Sequence, residues 1–212
     1  MTRTHRAAIT AVVLALLFAG AATVASAGGG DGGAPRTPTE RSADAGFARD
    51  MSVHHQQAVE MSFIVRDRTR DDEVRRLAYD IANTQANQRG MMLGWLDMWG
   101  LPKVAPDSEP MAWMGMPSHG TSGPVDGAVM PGMATRTELE RLRGASGRQA
   151  EILYLQLMTD HHKGGVHMAR GCAERCGTEV ERRLAQGMVD AQESEITLMA
   201  DLLRKRGAAP RA

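Results

Sequence analysis

Apolar residues and a histidine recur at alternating steps of four and three: Phe47, Met51, His54, Ala58, Met61 and Val65 fall on a single stripe of a helix. The same stripe returns as Tyr154, Met158, His161, Gly165, Met168 and Cys172. Partner stripes with this spacing run through Gln85, Gln88, Met92 and Trp95, and through Gln192, Glu195, Met199 and Leu202. No segment alternates apolar and polar residues between the Gly and Asn turns of a sheet, so the pattern predicts helices and no strands.

Punctuation agrees with the stripes. Asp71 or Asp72 is placed to cap the second helix, Ser146 the third main helix and Thr178 the fourth, directly after a helix stop at Gly177. Gly100-Leu101-Pro102 and Gly207 end the second helix of each pair, and residues 137–143 suggest a short extra helix.

A shift of 107 positions, the separation of Phe47 from Tyr154, also superposes His54-His55 on His161-His162, Leu77-Ala78 on Leu184-Ala185, Gln85 on Gln192 and Met92 on Met199. A gapless match of that length implies two copies of one helical hairpin. Each copy exposes one apolar stripe, and packing the copies together buries both. The expectation is an all-α four-helix bundle built from two duplicated hairpins.

The N-terminus reads differently. Arg3 and Arg6 precede the apolar run 7–20, and Ala25-Ser26-Ala27 follows, so residues 1–27 are expected to be a secretory signal peptide. An uncleaved membrane anchor is the alternative, and only that would give the chain a membrane partner. Both place the body outside the cytoplasm. Residues 28–38 (GGGDGGAPRTP) have almost nothing to bury and are expected to be a flexible linker. Residues 39–207 then form the duplicated domain, with a Pro-, Gly- and Met-rich crossover at 103–135.

Composition sharpens the chemistry. Lysine and arginine total 25, as do aspartate and glutamate; without Arg3 and Arg6 the balance is 23 against 25, which invites no nucleic acid. Aromatic residues are only 4%, whereas methionine reaches 15 residues, so thioethers must fill much of the core. Cys172 and Cys176 are the only cysteines. Export favours a disulfide between them, while their i,i+4 spacing also allows free thiols or metal ligands.

The stripes point His54 and His161 inward. His55 and His162 stand at the stripe edge, each sharing a face with a methionine one turn earlier, Met51 or Met158. Burying unpaired imidazoles and amides costs about 1–3 kcal/mol each, so partners are expected: one another, water or an ion. One reading has core histidines tied by glutamine, with methionine as packing filler. The doubling of a His-His pair flanked by methionine favours ligands instead.

Thioether with imidazole suits Cu(I) or Ag(I) and holds harder ions poorly, so copper is the expected ion. No Glu stands three residues before either His-His pair, which disfavours a carboxylate-bridged di-iron site. The crossover adds Met111, Met114, Met116, His119, Met130 and Met133, either as a second, independent ligand set or as a lid that buries these residues with Trp113. Imidazole must be deprotonated to ligate, so acid in the ordinary histidine range is expected to weaken the bundle site more than the crossover.

The phrases MSVHHQQAVEM and MTDHHKGGVHM, the MPGM before the third main helix and the Gln85/Met92 and Gln192/Glu195/Met199 positions resemble the bacterial Domain of Unknown Function 305 (DUF305) family over about residues 40–207. The resemblance implies a ferritin-like four-helix fold and kinship with CopM-like periplasmic copper-binding proteins. It implies copper or silver binding through Met51, His54, His55, Met61, Met158, His161, His162 and Met168, with Gln85, Met92, Gln192, Glu195 and Met199 around them. Two features depart from the pattern: Gly164-Gly165 replaces the usual Gly-Ala and is expected to loosen the third main helix, and the cysteine pair lies outside it.

The expected function is exported soft-metal binding, for copper buffering, resistance or delivery, with the metal ion and a copper-accepting or copper-donating protein as partners. A metal-dependent oxidase of ferritin-like fold and a non-metal helical interaction module are the alternatives. No acid, base or nucleophile constellation stands out, Glu195 being the one strong inward carboxylate, so no enzyme is expected.

Overall fold

The computed structural model describes residues 37–115 and 125–211. The expected signal peptide, nearly all of the linker, and Met116 and His119 of the crossover lie outside the described residues. Five α-helices follow one another: α1 (Ala43–Arg68), α2 (Asp72–Met98), the short α3 (Arg136–Gly144), α4 (Gly147–Arg175) and α5 (Glu179–Lys205). A 3-10 turn spans Ala112–Met114, and the described residues contain no strand beyond one isolated bridge between Val125 and Ala128. None of their helices is long and apolar enough to cross a membrane.

Local chemistry starts three of the helices. Ser42 accepts from the Ala45 amide, Asp71 from the Val74 amide, and Thr135 with Glu138 forms a reciprocal capping box ahead of α3. Ser146 and Thr178 occupy the cap positions of α4 and α5 but make no side-chain cap bond. At α5 a long-range group takes over. The carboxylate of Asp44, in the first turn of α1, accepts from the Gly177 and Thr178 amides at 2.9 and 2.8 Å. These are donors that a helix start leaves unsatisfied.

Helices α1 and α2 pack as one hairpin, α4 and α5 as the other, and the hairpins join through α1 against α4. The joining pair is antiparallel: Asp44 lies at Thr178, His54 at His161, Ser62 Oγ is 3.1 Å from the Tyr154 hydroxyl, and Thr69 Oγ1 donates to Glu151. This is a four-helix bundle with a pseudo-two-fold relation between its halves.

The antiparallel join sorts the methionines. Met61 of the first copy packs in one buried cluster with Met158 and Met199 of the second. Met168 of the second copy packs in the other with Met51 and Met92 of the first, along with Met188, Met111 and Met130. Each half of the core therefore draws thioethers from both copies.

The crossover is folded down onto this core. Met111 and Met130 are only 1% and 2% exposed, and Met114, Met133 and Trp113 are half-buried against the second cluster. Burial gives Met111 and Met130 the packing purpose that a flexible, polar segment would have denied them. The Gln57 side chain clamps Ala134, donating to its carbonyl at 2.9 Å and accepting from its amide at 2.7 Å.

Gly164 makes the seat possible, because a Cβ there would lie 2.0 Å from the Pro131 carbonyl oxygen. The Cβ of a residue at 165 would lie 2.4 Å from Gln192 Oε1. The glycine pair, expected to loosen its helix, instead lets neighbouring groups approach an unbroken one. Cys172 and Cys176, left open between disulfide and thiols, are joined by a disulfide where α4 ends.

Candidate metal centre

Four imidazoles occupy the middle of the bundle, and each is fully buried. The rings of His54 and His161 meet across the α1–α4 join with centroids 3.7 Å apart. His55 and His162 point instead into their own hairpins.

Each ring spends its Nε2 on an oxygen that accepts. His54 Nε2 lies 3.2 Å from the Pro131 carbonyl and His161 Nε2 lies 2.9 Å from the His54 carbonyl. His55 Nε2 lies 2.9 Å from Gln88 Oε1, and His162 Nε2 lies 2.6 Å from Glu195 Oε2. Carbonyl and carboxylate oxygens have no proton to give, so Nε2 carries the hydrogen in all four rings. Nδ1 is left as a bare lone pair.

All four Nδ1 atoms are buried without a hydrogen-bond partner, and so are Gln85 Oε1 and Gln192 Oε1. These six unpartnered atoms at the centre are all acceptors, at about 1–3 kcal/mol for each left unpaired. A cation placed among them would satisfy these lone pairs. Imidazole ligands ordinarily donate their other ring N–H to a carbonyl or carboxylate, the arrangement seen four times here.

Burial also fixes charge. Removal from water pushes the His54 imidazole down to about 4 and the His55 imidazole to about 3, and it holds His161 well below the ordinary histidine value. These three rings are neutral and ready to ligate at physiological pH. Proton competition, expected in the ordinary histidine range, is displaced into more acidic solution.

The nitrogens do not converge into one all-histidine cage. Among the described residues, the only group of three His, Cys, Asp or Glu ligand atoms that come together is Cys172, Cys176 and Glu181. The remaining soft donors near the rings are thioethers. Met51 stands one turn before His55 on α1, with Met92 one turn beyond Gln88 on α2; Met158 and Met199 repeat the arrangement around His162 and Glu195. All four methionines are fully buried, as are Met61 and Met168. The helical register repeats this grouping in both hairpins, and its donors suit a soft ion of low charge.

The halves are not identical. His55 faces a neutral amide and His162 a half-buried carboxylate, so the second site carries a negative charge that the first lacks. Met188 joins the second methionine cluster although no sequence argument singled it out; its 3/4 spacing with Ala185 and Gln192 on α5 was the available signal. The Pro131 carbonyl had none, because a backbone group from a crossover has no signature.

The sequence profile of the Domain of Unknown Function 305 matches residues 44–203. Among solved structures, the chain is similar to a Streptomyces coelicolor DUF305 protein described as secreted: 67% identity, covering 82% of this chain and 99% of that one, TM-score 0.75. It is similar to a DUF305 fragment from Deinococcus radiodurans: 30% identity, covering 77% and 96%, TM-score 0.62. It shares its fold with CopM in the Cu(I)-bound form: 20% identity, covering 76% and 96%, TM-score 0.54. CopM has also been solved bound to Cu(II) and Ag. No curated protein matches this chain.

Proposed function

The chain belongs to the DUF305 family, and from that membership and the four bare nitrogens at its centre we propose that it is an exported binder of soft metal ions, Cu(I) before Ag(I). The observation that carries the reading is the set of buried, partnerless Nδ1 atoms, each on a ring oriented by an oxygen at Nε2. A packing role would leave that surplus of lone pairs uncompensated, whereas a cation satisfies it.

The thioethers choose the ion. Six fully buried methionines lie in the two clusters that border the rings, and soft sulfur holds Cu(I) and Ag(I) far better than Zn(II). CopM, of the same fold, was crystallised with such ions, and the similar Streptomyces protein is described as secreted. The role that follows is binding without turnover: holding copper outside the cytoplasm, for buffering, resistance or hand-over to an accepting protein.

Anaerobic titration of the purified protein with Cu(I) against a chelator of known affinity, with Zn(II) and Cu(II) in parallel, tests the reading. Cu(I) should bind tightest, and substituting all four central histidines by leucine should abolish that binding. Tighter Zn(II) binding, or no metal binding, would leave a helical interaction module as the better account. Sustained oxygen consumption by the Cu(I)-loaded protein would point to an oxidase instead.

A further inference from the structure

The two ends of the bundle correspond under the internal duplication, yet they balance charge differently. At one end Glu151 is held by Arg206 Nε at 2.7 Å and by Thr69 Oγ1, and Arg206, itself 7% exposed, also reaches Asp71 at 2.9 Å. Asp44 occupies the equivalent of Glu151 at the other end, 107 positions earlier. There no arginine or lysine forms an ion pair with Asp44 or with its neighbour Glu181 among the described residues. What lies beside them is the Cys172–Cys176 disulfide, both sulfurs within 4.8 Å of a Glu181 carboxylate oxygen.

Glu181 is fully buried. Its Oε2 accepts from Thr178 Oγ1, while Oε1 has no donor. Asp44 cannot supply one, being a carboxylate already occupied by two backbone amides. Two carboxyl groups, Asp44 and Glu181, therefore meet at this buried end without a cationic side chain between them. The surroundings are soft and dry: both cysteines pack in the cluster that holds Met168 and Met188.

We propose that Cys172, Cys176 and Glu181 form a second, redox-gated metal site, closed as the disulfide and opened by reduction, that takes a thiophilic d10 ion, Cu(I). Opening requires a reductant of the dithiol or phosphine class. A dithiol transfers two electrons and two protons to the disulfide, breaking the S–S bond, forming two S–H groups and becoming a disulfide itself. Cu(I) then displaces both thiol protons and the Glu181 carboxyl proton to solvent and forms two Cu–S bonds, with the Glu181 carboxylate as third donor. Cu(I) is preferred because thiolates are soft and Cu(I) is content with two or three ligands; Zn(II) favours four, and the nearest further oxygen, on Asp44, is already engaged by two backbone amides. The site is separate from the central histidines and stands or falls without them.

The test compares the protein as isolated with the same protein kept reduced by a phosphine and then desalted anaerobically. Both are titrated with Cu(I) against a chelator while the ultraviolet thiolate-to-Cu(I) charge-transfer band is followed. The reduced form should take up an additional equivalent of Cu(I), and only that equivalent should show the band. Glu181→Gln should weaken it by about 10–100-fold and leave the others unchanged. Cys172→Ser with Cys176→Ser should remove it, and the reduced-against-oxidised comparison needs no variant to fold. Equal capacity in both redox states, or displacement of the additional ion by equimolar Zn(II), overturns the proposal. Binding by the oxidised protein, without the band, reports on the central site alone.

Discussion

His161 donates its Nε2 hydrogen to the backbone carbonyl of His54, 2.9 Å away across the antiparallel join of α1 and α4. The two residues are 107 positions apart, equivalent members of the two copies, yet the bond is not returned: His54 turns its own Nε2 to Pro131. One residue of a symmetric pair serves the join, and the other holds the crossover.

That asymmetry makes His161→Leu informative. The variant loses one hydrogen bond worth about 0.5–1.5 kcal/mol and removes an orphaned acceptor costing about 1–3 kcal/mol, while volume is nearly kept. The metal-free variant should be as stable as wild type or up to about 1 kcal/mol more stable in urea, and it should bind Cu(I) more weakly. A loss of more than about 2 kcal/mol would mark the ring as a structural group.

The buried rings set an acid limit on the metal-free fold. In the unfolded chain His54 and His55 take protons near pH 6.5; in the folded protein they resist to about 4 and about 3. Over that window the unfolded state binds more protons, so stability is full above pH 6.5 and declines as pH falls toward 4. With His161, also held well below the ordinary value, three such groups give a limiting slope of about 4 kcal/mol per pH unit. Urea midpoints measured from pH 7.5 to 4.5 should show the decline, and His54→Leu should flatten it.

Gly164 sets helix propensity against packing. Alanine in an exposed helix would gain about 1 kcal/mol over glycine. Here its Cβ would lie 2.0 Å from the Pro131 oxygen, so Gly164→Ala must lift the crossover off α4. We expect destabilisation of about 1–3 kcal/mol and faster amide exchange at Ala134, with α1 unaffected. A stabilised variant would show that the crossover is not seated as described.

The charge difference between the half-sites predicts unequal affinities. Glu195 orients His162 and enriches its electron density, as Gln88 does less for His55. Glu195→Gln should lower the affinity of the tighter Cu(I) equivalent by about 10–100-fold and bring the two equivalents together. Calorimetric titration that finds both equivalents unchanged removes Glu195 from the site.

Repetition is why so much of the fold was legible. The stripe through Phe47, Met51, His54 and Met61 recurs at Tyr154, Met158, His161 and Met168, and a 3.6-residue helical period written twice leaves few ways to bury both copies. The inward placement of His54, His161, Gln85 and Gln192 followed from the same spacing, whereas His55 and His162, expected at the stripe edge, are fully buried as well. The caps were half legible: Asp71 acts through its own neighbours, whereas the start of α5 is satisfied from the far end of the chain by Asp44.

By itself the sequence determined the helices, their pairing into equivalent hairpins and the donor types gathered at the centre, because these depend on periodicity and side-chain identity within short stretches. Only the tertiary structure decided which methionines share a cluster, which imidazole nitrogen is left bare, that Cys172 bonds Cys176, and that the crossover lies down over α4 through Gln57 and Gly164. Each of those depends on an antiparallel join and on backbone carbonyls such as those of His54 and Pro131. A carbonyl is the same chemical group at every position in the chain, and only folding gives it a neighbour.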